Sequence, residues 1–483
     1  MNPVTMTTLD SATLQSLTEA PKTPFQLATE EGSLECLDVL RFLPGKRLVL
    51  RARFGGEVVI AKCFFGSMAN RDMKRELRGI EGFVRAEVPT PELIGSSANQ
   101  HFHLVLTREL SPVISFDTFW SGQLSDDERR TWLEKISGII GALHNVGVQQ
   151  KDIHLDNLLL QDDEIYLIDG GGAEVVNNAL PPKEAVENLA LFQAVLFPRY
   201  DRFIENVWNA YCEAAPELAD GTSLESFSLL VQQQRKWRER FVQKALRNCT
   251  QFRVEKSWTH FLSVERSLDT PALLEVLADP EQAMAAGKVI KQGRTNTLVV
   301  VELSNGEKVL IKRFKSTKGF LHQSLRMLRA SRARGCWLNG FLLQMLGVRT
   351  PQPYAMLEKR FGPLTTCSYI INSYQPAPNA YDWFAQSPLP DGYHPVANEI
   401  GNILTTLQRS LVYHGDLKGN NFLVQDGSAS LIDLDSMTSY KNPSKFKRAN
   451  QQDINRFARN WTDLPLAAEV FSPIINKLKN DRD

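Results

Sequence analysis

Apolar and polar positions alternate over three successive stretches near the start of the chain. Residues 40–43, a Pro44-Gly45-Lys46 turn and residues 48–54 read as a hairpin, and Gly55-Gly56 then turns the chain into a third strand, EVVIAKCF, which carries Lys62. The layout returns at residues 287–314, GKVIKQGRTNTLVVVELSNGEKVLIKRF. There a loop at Gln292-Gly293-Arg294 and an Asn305-Gly306 turn separate three strands, and Lys312 lies on the third. Each meander is followed by a helix and then a Thr-Pro turn, VPTPELIG (88–95) or VRTPQPYA (348–355), that leads into another strand. Helical stretches follow at residues 126–145 and about 395–410. Residues 180–248 keep a helical period and read as the helical tail of a first domain.

The strongest feature is an internal repeat. Residues 149–172 read QQKDIHLDNLLLQDDEIYLIDGGG and residues 413–436 read YHGDLKGNNFLVQDGSASLIDLDS. Asp152, Asn157 and Asp169 match Asp416, Asn421 and Asp433 at a single offset of 264 residues. Two copies of one fold are therefore expected, with antiparallel strands first, helices later, and polar residues on the loops between. That order is α+β: two tandem protein-kinase-like domains, each with an antiparallel β-sheet N-lobe and a helical C-lobe. The expected boundaries are 1–250 for the first domain, 251–285 for a connector and lead-in, and 286–483 for the second.

The repeated residue types suit phosphoryl transfer, a reaction that asks the protein to grip ATP, hold Mg²⁺ and orient a hydroxyl. Lys62 and Lys312 would meet the ATP phosphates. Asp152 and Asp416 would orient the acceptor as catalytic bases, and Asn157, Asp169, Asn421 and Asp433 would supply oxygen ligands to Mg²⁺. Taken singly, the loop Asp and Asn residues could cap a helix and the lysines could reach solvent. Neither reading accounts for the repeat. Glu76, 14 residues after Lys62, is the candidate partner of that lysine, against the alternative of a solvated helix face with Lys74 and Arg78. Asp156 reads as a solvated loop acid or a third metal ligand, and His414 as a residue packed under its loop.

HGDLKGNNFLV and LIDLDSM, with GCWLNGFLLQMLGVRTP upstream, resemble the Kdo/WaaP-type lipopolysaccharide core kinases. KDIHLDNLLL, LIDGG and RELRGIEGFVRAEVPTP look like a more divergent copy. The resemblance implies ATP and Mg²⁺ as cofactors and a cytoplasmic phosphotransferase acting on a heptose or Kdo hydroxyl of a lipopolysaccharide core intermediate. The alternatives are a tandem pseudokinase that binds nucleotide as a scaffold, and a kinase for another small molecule or for protein. The short segments after Asp169 and Asp433 favour a non-protein acceptor. Each copy departs from the kinase pattern: the second has no acid between Lys312 and Glu358, with Asn339 nearest the expected place, and the first has Gln150 where the second has His414. Neither has a full glycine-rich loop, so phosphate coverage falls to 44–47 and 292–295.

Composition narrows the partners. Lys+Arg and Asp+Glu both number 55, which argues against nucleic acid as a partner. The six cysteines are scattered and form no CxxC pair, as expected of reduced thiols in the cytoplasm. The N-terminal residues do not read as a signal peptide, and no apolar run approaches bilayer length. Lys312, Arg313, Lys315, Lys318, Arg326, Arg329, Arg332 and Arg334 form an acid-free run that reads as a dock for an anionic substrate or inner-membrane surface, or as a solvated face. Arg235, Lys236, Arg238, Arg240, Lys244 and Arg247, interleaved with Trp237 and Phe241, read as a lipid-facing patch or as a helix packed on its own domain. Cytoplasmic placement, peripheral at the inner membrane, is the expectation; oligomeric state is open.

Overall fold

The alternating stretches form strands. The structure, a computed structural model, describes residues 7–9, 11–29, 32–99, 101–151, 153–315 and 330–480. Asp152, Lys318, Arg326 and Arg329 lie outside the described residues. The chain divides into two compact units, 1–196 with 200–235, and 197–199 with 236–483.

The first unit begins with a seven-stranded sheet. Its spatial order is Thr7–Leu9, Phe25–Thr29, Gly32–Leu43, Arg47–Phe54, Glu57–Phe65, Phe102–Arg108 and Leu93–Ala98. The pairings are antiparallel apart from the first. Leu48, Leu50 and Ala52 bury one face of their strand, as the period of two requires. Lys62 sits between Val49 and Val105 on the neighbouring strands, on the face opposite buried Ala61 and Cys63. Helices Asp126–Asn145, Pro182–Val195, Ile204–Ala214 and Leu224–Arg235 make the helical lobe. The first of these starts at a capping box, in which the Ser125 side chain accepts from Glu128 N and the Glu128 side chain accepts from Ser125 N.

The second unit repeats the last five strands of that order, Gly32–Leu43 to Leu93–Ala98, and extends the sheet at the other edge. Its order is Phe252–Lys256, His260–Glu265, Pro353–Phe361, Leu364–Ser373, Lys308–Lys315, Asn296–Glu302 and Lys288–Gln292. Lys312 lies opposite Leu298 and Ile370. Its helical lobe is built on Tyr393–Arg409, Pro443–Arg459 and Pro465–Asn480, around Phe422, Phe457, Trp461 and Phe471.

Residues 251–285, expected as connector and lead-in, hold two strands of this sheet and the helices Pro271–Ala278 and Pro280–Ala286. The end of the 180–248 stretch likewise packs in the second unit. The Ala245 carbonyl accepts from Trp337 Nε1 at 2.9 Å and from Ser263 Oγ at 2.6 Å. Helical periodicity reports that a segment has one apolar face; it does not say which core that face meets. In the same stretch Arg235 pairs with Asp201, and Arg238 is 4% exposed. Both cations are taken into the fold, which favours the packed-helix reading over a lipid-facing patch. All six cysteines are free thiols. Among the described residues no helix is long and apolar enough to cross a membrane.

Candidate active sites

The Thr-Pro turns act at the base of each site. Thr90 Oγ1 donates to Leu167 O at 2.9 Å, and Thr350 Oγ1 donates to Leu431 O at 2.8 Å. Leu167 N and Leu431 N in turn donate to Pro89 O and Arg349 O, each at 2.8 Å. Each turn thus pins the strand that ends at Asp169 or Asp433. One step further, Ile168 N donates to Asn157 O at 3.0 Å and Ile432 N to Asn421 O at 2.9 Å, which brings each Asn beside the Asp. Asp169 (φ 63°, ψ 62°) and Asp433 (φ 64°, ψ 54°) are both left-handed. A non-glycine residue enters that region at a cost, and the bend aims each carboxylate back toward the strand lysine.

In the first unit Lys62 Nζ is 2.6 Å from Glu76 Oε1 and 3.2 Å from Asp169 Oδ1. The other Glu76 oxygen accepts from Gly171 N at 2.9 Å. Arg47, at the end of the hairpin turn, reaches within 4.0 Å of Asp169. Burial alone would raise the Asp169 pKa, but Lys62, Arg47 and Arg41 bring it below the ordinary aspartate value. The helix Ala69–Arg85 approaches the loop backbone to backbone: a Cβ on Gly79 would stand 2.1 Å from Gly170 O. Gly79→Ala must push helix and loop apart. It is expected to cost about 1–3 kcal/mol of stability, read as a lower urea midpoint for the first unit. An unchanged midpoint would mean that the helix re-seats freely.

The second unit holds its Asp416–Asn421 loop more fully. Asn421 Nδ2 donates to Asp416 O at 2.7 Å and to Asp416 Oδ2 at 3.3 Å. Lys418 Nζ lies 2.8 Å from Asp416 Oδ2 and Arg456 2.5 Å from Asp416 Oδ1. His414 is fully buried and its pKa is lowered by burial. Its Nδ1 accepts from Asp416 N at 3.4 Å and its Nε2 lies 3.0 Å from Ile432 O, so it serves as a neutral brace. Buried Asp453 accepts from His414 N at 2.7 Å and from Gly415 N at 3.1 Å. The counterpart contacts in the first unit run through Asn188, whose Nδ2 donates to Gln150 O at 2.8 Å and whose Oδ1 meets His144 Nε2 at 3.0 Å. Asp453, Arg456 and Lys418 were not singled out as site residues from the sequence, whereas Arg47 closes the 44–47 turn expected to cover phosphate. Asp453 had a signal in hindsight: it is one acid in a helix otherwise rich in Lys and Arg.

Lys312 Nζ pairs with Asp433 Oδ1 and lies 3.5 Å from Asp435 Oδ1. The missing helix acid therefore does not leave this lysine unpaired. Burial would raise the Asp433 pKa, but Lys312 outweighs it and brings the group to about 2. Glu358, the next acid in sequence, is used elsewhere: it accepts from Ser331 at 2.6 Å and pairs with Arg334 and Arg360. Arg332 donates to Asp435 at 2.7 Å and Arg313 pairs with Glu281. Four cations of the acid-free run, Lys312, Arg313, Arg332 and Arg334, are thus matched by acids distant in sequence, while Lys318, Arg326 and Arg329 lie outside the described residues. The sequence window showed no acid because the partners arrive from other strands and loops. Asp156 is exposed on its 3-10 turn.

The donor sets fit a hard divalent cation. In the second unit they are the Asp433 carboxylate and the Asn421 amide, whose Nδ2 faces Asp416 and so leaves Oδ1 as the atom that would meet the ion. Among the described residues no three His, Cys, Asp or Glu side chains converge on a common point. Mg²⁺ in a phosphoryl-transfer site takes one or two side chains, with phosphates and water completing the shell.

Comparison with known proteins agrees with the repeat. The sequence profile of the lipopolysaccharide kinase (Kdo/WaaP) family matches residues 47–178 and again 283–471. No curated protein matches the chain. Among solved structures, WaaP in complex with acyl carrier protein is similar at 18% identity, covering 41% of this chain and 87% of that one, with a TM-score of 0.32. A kinase domain of Mycobacterium tuberculosis PknI is similar at 16% identity, covering 42% and 95%, with a TM-score of 0.28. The two matched segments together span more than half of the chain and each contains one of the two lysine–aspartate sites, so this protein is a kinase that belongs to the lipopolysaccharide kinase (Kdo/WaaP) family.

Proposed function

We propose that the chain transfers the γ-phosphoryl group of ATP to a heptose or Kdo hydroxyl of a lipopolysaccharide core intermediate, on the cytoplasmic side of the inner membrane. The observation that carries the reading is the second site. There Lys312 and Asp433 meet across the lobes, and Asp416 is held by Arg456, Lys418 and Asn421. In this reading Lys62 and Lys312 grip the ATP phosphates, with Glu76 steadying Lys62. Asp169 with Asn157, and Asp433 with Asn421, hold Mg²⁺, which when bound offsets phosphate charge. Asp416, and Asp152 in the first unit, orient the acceptor hydroxyl and take its proton as the new P–O bond forms and ADP leaves. Purified chain with labelled ATP and lipopolysaccharide core lacking phosphate should yield labelled core. Label moving to a protein but not to core would overturn the acceptor assignment.

A second reading applies to the first unit alone: it binds nucleotide without turnover. Gln150 and Asn188, in the places of His414 and Asp453, favour it. Both readings expect Mg-ATP to raise the melting temperature, because a ligand bound only to the native state stabilises by mass action, by about 2.7 kcal/mol at a hundredfold excess over Kd. Asp169→Ala and Asp433→Ala should each remove part of the shift. Absence of any shift at millimolar Mg-ATP would remove nucleotide binding from both units.

A further inference from the structure

Lys62 and Lys312 hold the same strand position, yet the acids that reach them come from different elements. In the first unit the acid is Glu76, on the helix Ala69–Arg85. The matching helix of the second unit is Arg332–Met345. Their C-terminal ends carry the same markers. Val88 N donates to Phe83 O and Val348 N to Leu343 O, while Glu87 and Gly347 both take positive φ. That register places Cys336 where the first unit has Glu76. On the loops, the register that matches Asp169 to Asp433 places Asp435 where the first unit has Gly171. Each unit therefore has one acid and one small residue at this pair of positions, in opposite order.

Sterics account for the exchange. A Cβ on Gly171 would stand 2.8 Å from Glu76 Oε2, so a side chain on the loop would push the helix carboxylate out of its present place. In the second unit Cys336 is short and buried, and burial pushes its thiol up to about 12, so it carries no charge at neutral pH. Lys312 is 8% exposed. A buried ammonium needs a carboxylate partner, and Asp433 and Asp435 are the two that reach it. The helix also stands off from its loop: Asn339, opposite the position of Gly79, fills the gap with its amide, donating to Leu434 O at 2.9 Å and Met437 O at 3.0 Å.

We infer that Asp435 is the positioning residue of the second site, holding Lys312 for the ATP phosphates in the role that Glu76 has in the first. The acid has moved from the helix to the loop. One consequence is mechanical. Asp435 lies on the 3-10 turn Leu434–Ser436, directly after Asp433, so lysine clamp and metal-binding aspartate share one rigid turn. In the first unit the clamp depends on where the helix sits. A metal-ligand role for Asp435 is disfavoured by its surroundings. Arg332 takes Oδ2, Lys312 faces Oδ1, and the side chain is 6% exposed against 37% for Asp433.

The inference rests on Lys312 being the ATP-phosphate lysine, so Lys312→Ala is measured beside it. The chain carries Asp169→Ala to isolate the second site. Asp435→Asn should raise KM for ATP roughly 10–100-fold, the effect of losing one charge-assisted contact to the lysine, and the double variant Asp435→Gly with Cys336→Glu, which reproduces the pair of the first unit, should recover most of it. A merely structural role for Asp435 would give no such recovery. An unchanged KM in Asp435→Asn beside a raised one in Lys312→Ala overturns the inference and spares the site. An unchanged KM in Lys312→Ala overturns both. A raised KM in Asp435→Asn that excess Mg²⁺ abolishes makes Asp435 a metal ligand and also overturns it. Should Asp435→Asn fold poorly, the exchange is read in the first unit by ATP binding. Glu76→Cys with Gly171→Asp must there keep the affinity that Glu76→Cys alone loses, and a loss in both variants overturns the inference.

Discussion

Asp416→Asn is expected to lower kcat at the second site by roughly 10²–10⁴-fold, the usual worth of a positioned base, with KM for ATP almost unchanged. A base contributes mainly in the transition state, whereas Lys312 in the proposed role meets the ATP phosphates, and its loss should raise KM as well. Burial tends to raise the Asp416 pKa, but Lys418, Arg456 and Asn421 outweigh it and the net direction is down. The carboxylate therefore stays ionised to a lower pH than an ordinary aspartate. As pH falls, kcat should hold through the range in which an ordinary aspartate would be protonated, and drop only below it. Asp152→Asn in the first unit should cost less, because Gln150 and Asn188 replace the His414–Asp453 brace. Wild-type kcat in Asp416→Asn together with a large loss in Asp152→Asn would reverse that ranking. Full activity in both single variants and in the double variant would remove the proposed roles altogether.

The parts of the fold that were legible were local. The turns at 44–46 and 305–306, the period-two strands and the repeated Asp/Asn loop each depend on a few neighbouring residues, and the sheets and the Lys62–Glu76 contact followed from them. What the sequence hid was carried by distance. Asp435 is 123 residues from Lys312 and Glu358 is 24 from Arg334, so a window that counts nearby charge saw a lysine without an acid and a basic run without partners. The left-handed turns at Asp169 and Asp433 were hidden for a different reason. Aspartate has no strong preference for that region, and the strain is held by the Thr-Pro anchor and the Asn carbonyl, contacts that form only after folding. The two added edge strands, 252–256 and 260–265, were read as connector because a short segment beside an uncertain boundary gives periodicity little length to act on.

Asp453→Ala should be the most damaging change outside the residues that would meet the substrate. The carboxylate accepts from His414 N at 2.7 Å and from Gly415 N at 3.1 Å, and it is 4% exposed. Alanine leaves the buried His414 N–H and the half-buried Gly415 N–H without this acceptor, at about 1–3 kcal/mol for the buried one and less for the other, so the second unit should lose about 1–5 kcal/mol on urea unfolding. The same two amides fix the backbone immediately before Asp416, at Gly415 with φ 85°, where an added Cβ would meet Ser436 at 2.9 Å. Releasing them lets the base drift. A displacement near 1 Å costs about 10²-fold, so kcat should fall on that order even at temperatures where the variant is fully folded. Asp453→Asn, which keeps an acceptor oxygen, should recover part of both losses. Asn188→Ala in the first unit is the contrast. Among the described residues Asn188 donates to the Gln150 carbonyl and accepts from His144 Nε2, not from a loop amide. Its removal should lower stability while moving total kcat far less. If Asp453→Ala lost stability but kept its kcat, the loop would be positioned by Arg456 and Lys418 instead, and those two side chains would become the next to change.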